Sequence, residues 1–120
     1  MAEGIKVRGT TGLTLYAIVW RPADLYVWDA DDEAFEAPGI WDAARIGACD
    51  IPLTEVAGTG WYQGDFPVIL TGVYFVEIFE RAGGAPALAD DVAGGYELAW
   101  SGTREIDAVD QASNNRQYMT

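Results

Sequence analysis

Histidine is absent from the 120 residues. With it go the usual general base, the usual triad member and the commonest transition-metal ligand. Lysine occurs once, as Lys6; Lys plus Arg total 7 against 19 Asp plus Glu, a formal charge of −12. So few cations exclude a broad basic face, so no nucleic-acid partner is expected. An anionic membrane surface is disfavoured for the same reason, and no membrane partner is expected. Cys49 is the single cysteine, which excludes an intrachain disulfide. With no histidine or second thiol to activate it, Cys49 reads as a small buried residue in or near a strand. Long apolar runs are missing too: the longest, Leu13 to Trp20, is interrupted by Thr14 and falls far short of a spanning helix. Met1 to Arg8 holds no apolar run of signal-peptide length, so synthesis in a reducing compartment is expected.

The motifs of catalysis are equally thin. Ser101 and Ser113 are the only serines, and neither sits in a G-x-S-x-G elbow. Gly58-Thr-Gly60 fails the dinucleotide fingerprint because Gln63 stands at the third glycine position; these glycines read as turn residues. Asp29-Ala-Asp31-Asp32-Glu33 faintly follows a calcium loop, but Ala34 takes the place of the turn glycine and Ile40 that of the bidentate glutamate. Asp29, Asp31, Asp90 and Asp91 stay as weak cation candidates beside the stronger reading of solvated acidic loops. No enzyme activity and no cofactor is expected.

What is present is a strand-forming sequence of single-domain size. By size scaling, roughly 6,300 Å² of folded surface replaces roughly 19,000 Å² of unfolded surface, enough burial for one core. Short β-branched and aromatic runs are cut by Gly, Pro and Asp clusters, the rhythm of an all-β domain. Strands are expected at 13–20, 25–28, 50–56, 61–66, 72–81 and 96–100, with 104–109 a final strand or a departing arm. Pro52 marks its segment as an edge strand. Only the stretch around Trp41 to Arg45, with Asp42 as a possible cap, offers a helical turn, and a loop is an equal reading. Residues 82–95 are expected to be a connecting loop.

The central strands are apolar on both faces. Tyr74, Val76 and Ile78 oppose Val73, Phe75, Glu77 and Phe79, while Leu15, Ala17 and Val19 oppose Tyr16, Ile18 and Trp20. A sheet with one wet face alternates more cleanly, so something covers the second face. The loop 29–48 and another protein are the two candidates. The exposed share of the aromatics is expected to serve protein contacts, with Tyr16, Trp20, Trp28, Trp41, Trp61, Phe75 and Phe79 as interface candidates. A glycan-stacking platform is the rival from another class.

Four patches carry a resemblance. They are Leu15-Tyr-Ala-Ile-Val-Trp-Arg21 with Val27-Trp28, Ile51-Pro-Leu-Thr-Glu55, Gly58-Thr-Gly-Trp-Tyr-Gln-Gly-Asp-Phe-Pro67, and Gly72-Val-Tyr-Phe-Val-Glu-Ile-Phe79. The last continues to Gly84-Ala-Pro-Ala87 and Glu97-Leu-Ala-Trp100. Across about residues 13–101 the chain resembles small β-sandwich proteins of tailed phages and prophages, and the immunoglobulin-like modules of their tails, baseplates and head decorations. The resemblance implies a single antiparallel, immunoglobulin-like β-sandwich of about seven strands with little or no helix. The tails lie outside the resemblance and are expected to be an N-terminal arm at 1–12 and a C-terminal arm at 102–120. The resemblance further implies a non-enzymatic virion protein made in the host cytoplasm, foremost a capsid decoration or cement protein, with a tail, baseplate or fibre attachment module as the nearest variant. Its partners would be other virion proteins, the major capsid or tail protein, and further copies of itself in a homo-oligomer. It brings no catalytic residues.

Overall fold

The computed structural model describes residues 4–102. The chain runs β1 (Gly4–Arg8), β2 (Leu15–Arg21), β3 (Tyr26–Asp29), β4 (Ala34–Glu36), α1 (Ala43–Cys49), β5 (Ile51–Pro52), β6 (Thr54–Glu55), β7 (Trp61–Asp65), β8 (Gly72–Glu80) and β9 (Asp91–Trp100). All pairings are antiparallel. A small sheet has the order β1-β7-β6, and a larger one the order β4-β3-β2-β8-β9, with β5 added to β2. The two pack as an all-β sandwich. Nine strands form among the described residues where about seven were expected, and three of them, β4, β5 and β6, are only two or three residues long. No helix of the described residues is long and apolar enough to cross a membrane.

The double-sided strands now have their explanation. From β2, Leu15, Ala17 and Val19 enter the core between the sheets, where Ile5, Tyr62, Phe66, Val76, Ile78, Leu98 and Trp100 meet them. The alternate residues Tyr16 and Ile18 point to the outer face of the large sheet. There they pack with Val27 and with Ile46 and Cys49 of α1, closed in by Trp20, Trp41 and Phe79. A third layer, made by α1 and its flanking loop, therefore covers part of that face.

Two expectations need correction, the N-terminal arm and the loop at 82–95. The N-terminal arm at 1–12 is in part a strand: Gly4 to Arg8 pairs with β7 from Gly4↔Asp65 to Arg8↔Trp61, and Ile5 is fully buried. Ile5 and Val7 supply too short an alternation to announce it, and the partner strand dictates the conformation. The Trp41–Arg45 stretch opens a real helix, with Asp42 at its N-cap accepting from the Arg45 N–H at 3.0 Å. Cys49 is fully buried, as expected, as the last residue of that helix and two residues before β5. Residues 91–95 belong to β9 and not to a loop, because β8 extends far enough to pair with them. The expected C-terminal arm and the segment 104–109 lie outside the described residues.

Pro52 has a specific place. The expected strand 50–56 breaks at Leu53, so that Ile51–Pro52 lies on the large sheet and Thr54–Glu55 on the small one. Proline lacks the N–H a continuing ladder would need. The corner presses on β7, where a Cβ on Gly64 would lie 2.6 Å from Leu53 Cδ2.

Candidate functional site

The helical layer stops short. On the outer face of β8, Phe79 lies under cover, but Phe75 is 36% exposed and Val73 46%. Next to them a groove of about 700 Å³ opens, lined by Trp20, Leu25, Pro38, Phe75, Glu77, Glu97 and the backbone of Val76, Gly95 and Tyr96. Five segments build it. β2 contributes Trp20, whose indole Nε1 donates to Glu77 Oε1 at 2.7 Å, fixing both side chains on one wall. The β2–β3 turn contributes Leu25, and the loop before α1 contributes Pro38. β8 and β9 supply the floor through the pairings Phe75↔Glu97 and Glu77↔Gly95.

That register sets the electrostatics. Phe75, Glu77 and Glu97 share one face, with Glu97 directly across from Phe75 and diagonal to Glu77. Diagonal side chains of an antiparallel pair stand roughly 7–8 Å apart. Two carboxylates are thus neighbours of one phenyl ring, one across the ladder and one along the strand, and no lysine or arginine lines the groove.

Leu25 is held at φ +56°, in the left-handed region that a branched residue enters only at a cost, and its side chain is 56% exposed. Its N–H donates to the Arg21 carbonyl at 2.8 Å, closing the turn.

The acidic candidates take separate roles. Asp29 is buried: its Oδ1 accepts from the Asp32 N–H at 2.9 Å, and its Oδ2 from Arg45 Nη1 at 2.5 Å. Arg45 also reaches Glu36 Oε1 at 3.2 Å and donates to the carbonyls of Ala37 and Pro38. One guanidinium therefore ties α1 to the strand and loop beneath it. Asp29, Asp32 and Glu36 offer oxygens within 4.8 Å of one another, and Arg45 brings the positive charge to that cluster. Asp31 is an exposed turn residue. Asp90 accepts from the Tyr16 hydroxyl at 2.8 Å and from the N–H groups of Ala87 and Ala82, pinning the 81–90 loop onto the sheet. Asp91 is exposed at the start of β9. The four expected cation candidates do not gather into one group.

These carboxyls move in opposite directions. Burial pushes Asp29 up, but the Asp32 N–H and the Arg45 guanidinium outweigh it and hold the carboxyl below its ordinary 3.8. The Ala87 N–H and then the Tyr16 hydroxyl hold Asp90 down likewise. A hydrogen bond with Asp32, then burial, raises Glu36, and burial raises Asp50. A depressed carboxyl contributes stability above its unfolded pKa and loses it as pH falls through the folded value. A raised one does the reverse: the folded chain binds that proton more tightly, so acidification from neutrality first stabilises. Thermal unfolding is expected to show a maximum Tm between about pH 4 and about pH 6, with a steep fall below. A Tm that climbs steadily from pH 4 to 8 contradicts this assignment.

Of the interface candidates, Tyr16 needs correction. It is buried, stacked on Phe79 at 5.4 Å between ring centres, and offers no surface to a partner, because α1 and the 81–90 loop close over it. Trp41 packs on Trp20 at 5.2 Å and caps the helical layer. Trp28 is half-buried, edge-on to Phe35. Trp61 is 45% exposed on the small sheet, with the Arg8 guanidinium 5.5 Å above its ring. Trp20 and Phe75 meet at the groove. Leu25, Pro38, Glu77 and Glu97 escaped sequence reasoning, since four distant segments supply them. The only signal was Glu77 standing in an otherwise apolar alternation.

No known protein family, characterised protein or solved structure matches the chain. The site is therefore read from its own chemistry.

Proposed function

We infer that the protein is a non-enzymatic adhesion module that works through protein–protein contacts. One observation carries the reading: the outer face of the large sheet is covered over Tyr16, Ile18 and Phe79, yet left open over Val73, Phe75 and the groove beside them. Exposed contiguous apolar surface in a folded domain marks a contact site, and aromatic side chains are favoured anchors in such contacts. The rigid sandwich behind the face adds to this, since a preformed surface binds without an ordering cost. The charge of −12 keeps the free protein soluble before it docks.

For the setting, the sequence resemblance points to a phage particle. There the module is a capsid decoration protein bridging neighbouring shell subunits, with a tail or baseplate position as the variant. Co-sedimentation with empty phage heads and with isolated tails is the test. Binding to heads at physiological salt that Phe75→Ser weakens supports the decoration role, binding only to tails selects the variant, and binding to neither removes the virion setting.

A further inference from the structure

We propose that the groove on the outer sheet face receives a basic side chain, foremost arginine, from an apolar segment of a partner protein. The proposal rests on the adhesion reading and adds to it the chemistry of the partner. Three features argue for a cation carried on an apolar stem. First, the polar side chains in the groove are two carboxylates, and none of its lining residues is a cation to balance them. Second, Phe75 stands directly across from Glu97 and two residues from Glu77 on the same face of β8, and it is open to solvent, so a guanidinium stacked on the ring lies within reach of both carboxylates. Arginine suits that place because its planar head stacks on an aromatic face and meets carboxylates side-on. Third, the walls are apolar where a methylene stem would run, along Trp20, Leu25 and Pro38.

Leu25 supports the same conclusion independently. Its backbone conformation is one that glycine or asparagine would adopt at lower cost, yet an exposed leucine is held there against the groove. Strained residues of this kind cluster where a ligand is clamped. Glu77 is already oriented by the Trp20 indole, so it meets a cation without reorganising.

The test uses the full chain and an array of labelled peptides in which one apolar sequence carries arginine, lysine or glutamate, read by fluorescence anisotropy. The arginine peptide is expected to bind, the lysine peptide more weakly, and the glutamate peptide not at all. Raising salt from about 50 mM to about 500 mM is expected to weaken binding at least about tenfold. Glu97→Gln is expected to weaken it about tenfold, whereas Asp91→Asn, which removes the same charge six residues along β9, leaves it unchanged. Leu25→Gly keeps or raises Tm and still weakens binding several-fold.

Equal losses in Glu97→Gln and Asp91→Asn overturn the proposal, because the peptide is then held by net charge alone. Failure of every basic peptide overturns it as well, as does capture of a neutral oligosaccharide in place of the peptides. If the basic peptides fail while binding to phage heads persists, the groove chemistry is wrong and the adhesion reading stands.

Discussion

Replacing Arg45 with alanine is expected to lower the unfolding free energy by about 3 kcal/mol, at the lower end for breaking a buried ion pair. The low end applies because the Arg45 side chain is 20% exposed, although Asp29 is 3% exposed. The loss is large because the arginine serves four acceptors at once: two carboxylates and the carbonyls of Ala37 and Pro38. Without it, Asp29 is a buried anion left with the Asp32 N–H and a hydrogen bond with Glu36, and no positive charge. Lysine is expected to recover less than half the loss, since a single ammonium cannot span the four positions. Combining Arg45→Met with Asp29→Asn is expected to be milder than Arg45→Ala alone, because the stranded charge goes with its partner. Urea unfolding of the three variants beside the parent chain is the measurement. A loss under about 1 kcal/mol for Arg45→Ala, the range of a surface ion pair, would show that the clamp contributes little.

Gly60→Ala is the second severe change, expected at about 2–4 kcal/mol. Gly60 sits at φ +83°, where a Cβ costs roughly 1–2 kcal/mol. That Cβ would also stand 2.6 Å from the Gly9 carbonyl oxygen, a backbone atom that cannot turn aside. Relief would require moving β1 off β7, at the point where the Gly9 N–H donates to the Gly60 carbonyl at 2.8 Å. Gly58 is the internal control: its φ is +74°, but nothing lies within 4 Å of a Cβ there. Gly58→Ala is therefore expected to cost only about 1–2 kcal/mol, the backbone part alone. Equal costs at the two positions would remove the steric half of the explanation.

Much of the sandwich was written in local pattern. Leu15 to Arg21 and Gly72 to Glu80 carry enough β-branched and aromatic residues to declare themselves, and Pro22 marks the end of the first and Gly72 the start of the second. The alternation of apolar residues on both faces also announced a second cover, and α1 with its flanking loop supplies part of it. Less legible was anything fixed by a distant partner. Asp91 to Gly95 reads as loop because glycine and alanine carry little strand preference, yet β8 recruits it. Gly4 to Arg8 is too short to stand out until β7 lies beside it. Helix α1 was half visible: Asp42 is a good cap, but seven residues hold only when Ile46 and Cys49 find a sheet to bury against. The groove was least visible of all. Its two carboxylates belong to strands twenty residues apart, and only the β8–β9 register makes them neighbours.

The thiol at the end of α1 gives this architecture a chemical stopwatch. Cys49 has no exposed surface, and burial raises its pKa to about 11, so a labelling reagent finds it neither reachable nor ionised while the helix is seated. Each modification event must therefore wait for the short helix to lift from the sheet. The native chain, with no added probe, reports through its alkylation rate how often that outermost layer departs while the two sheets below stay joined.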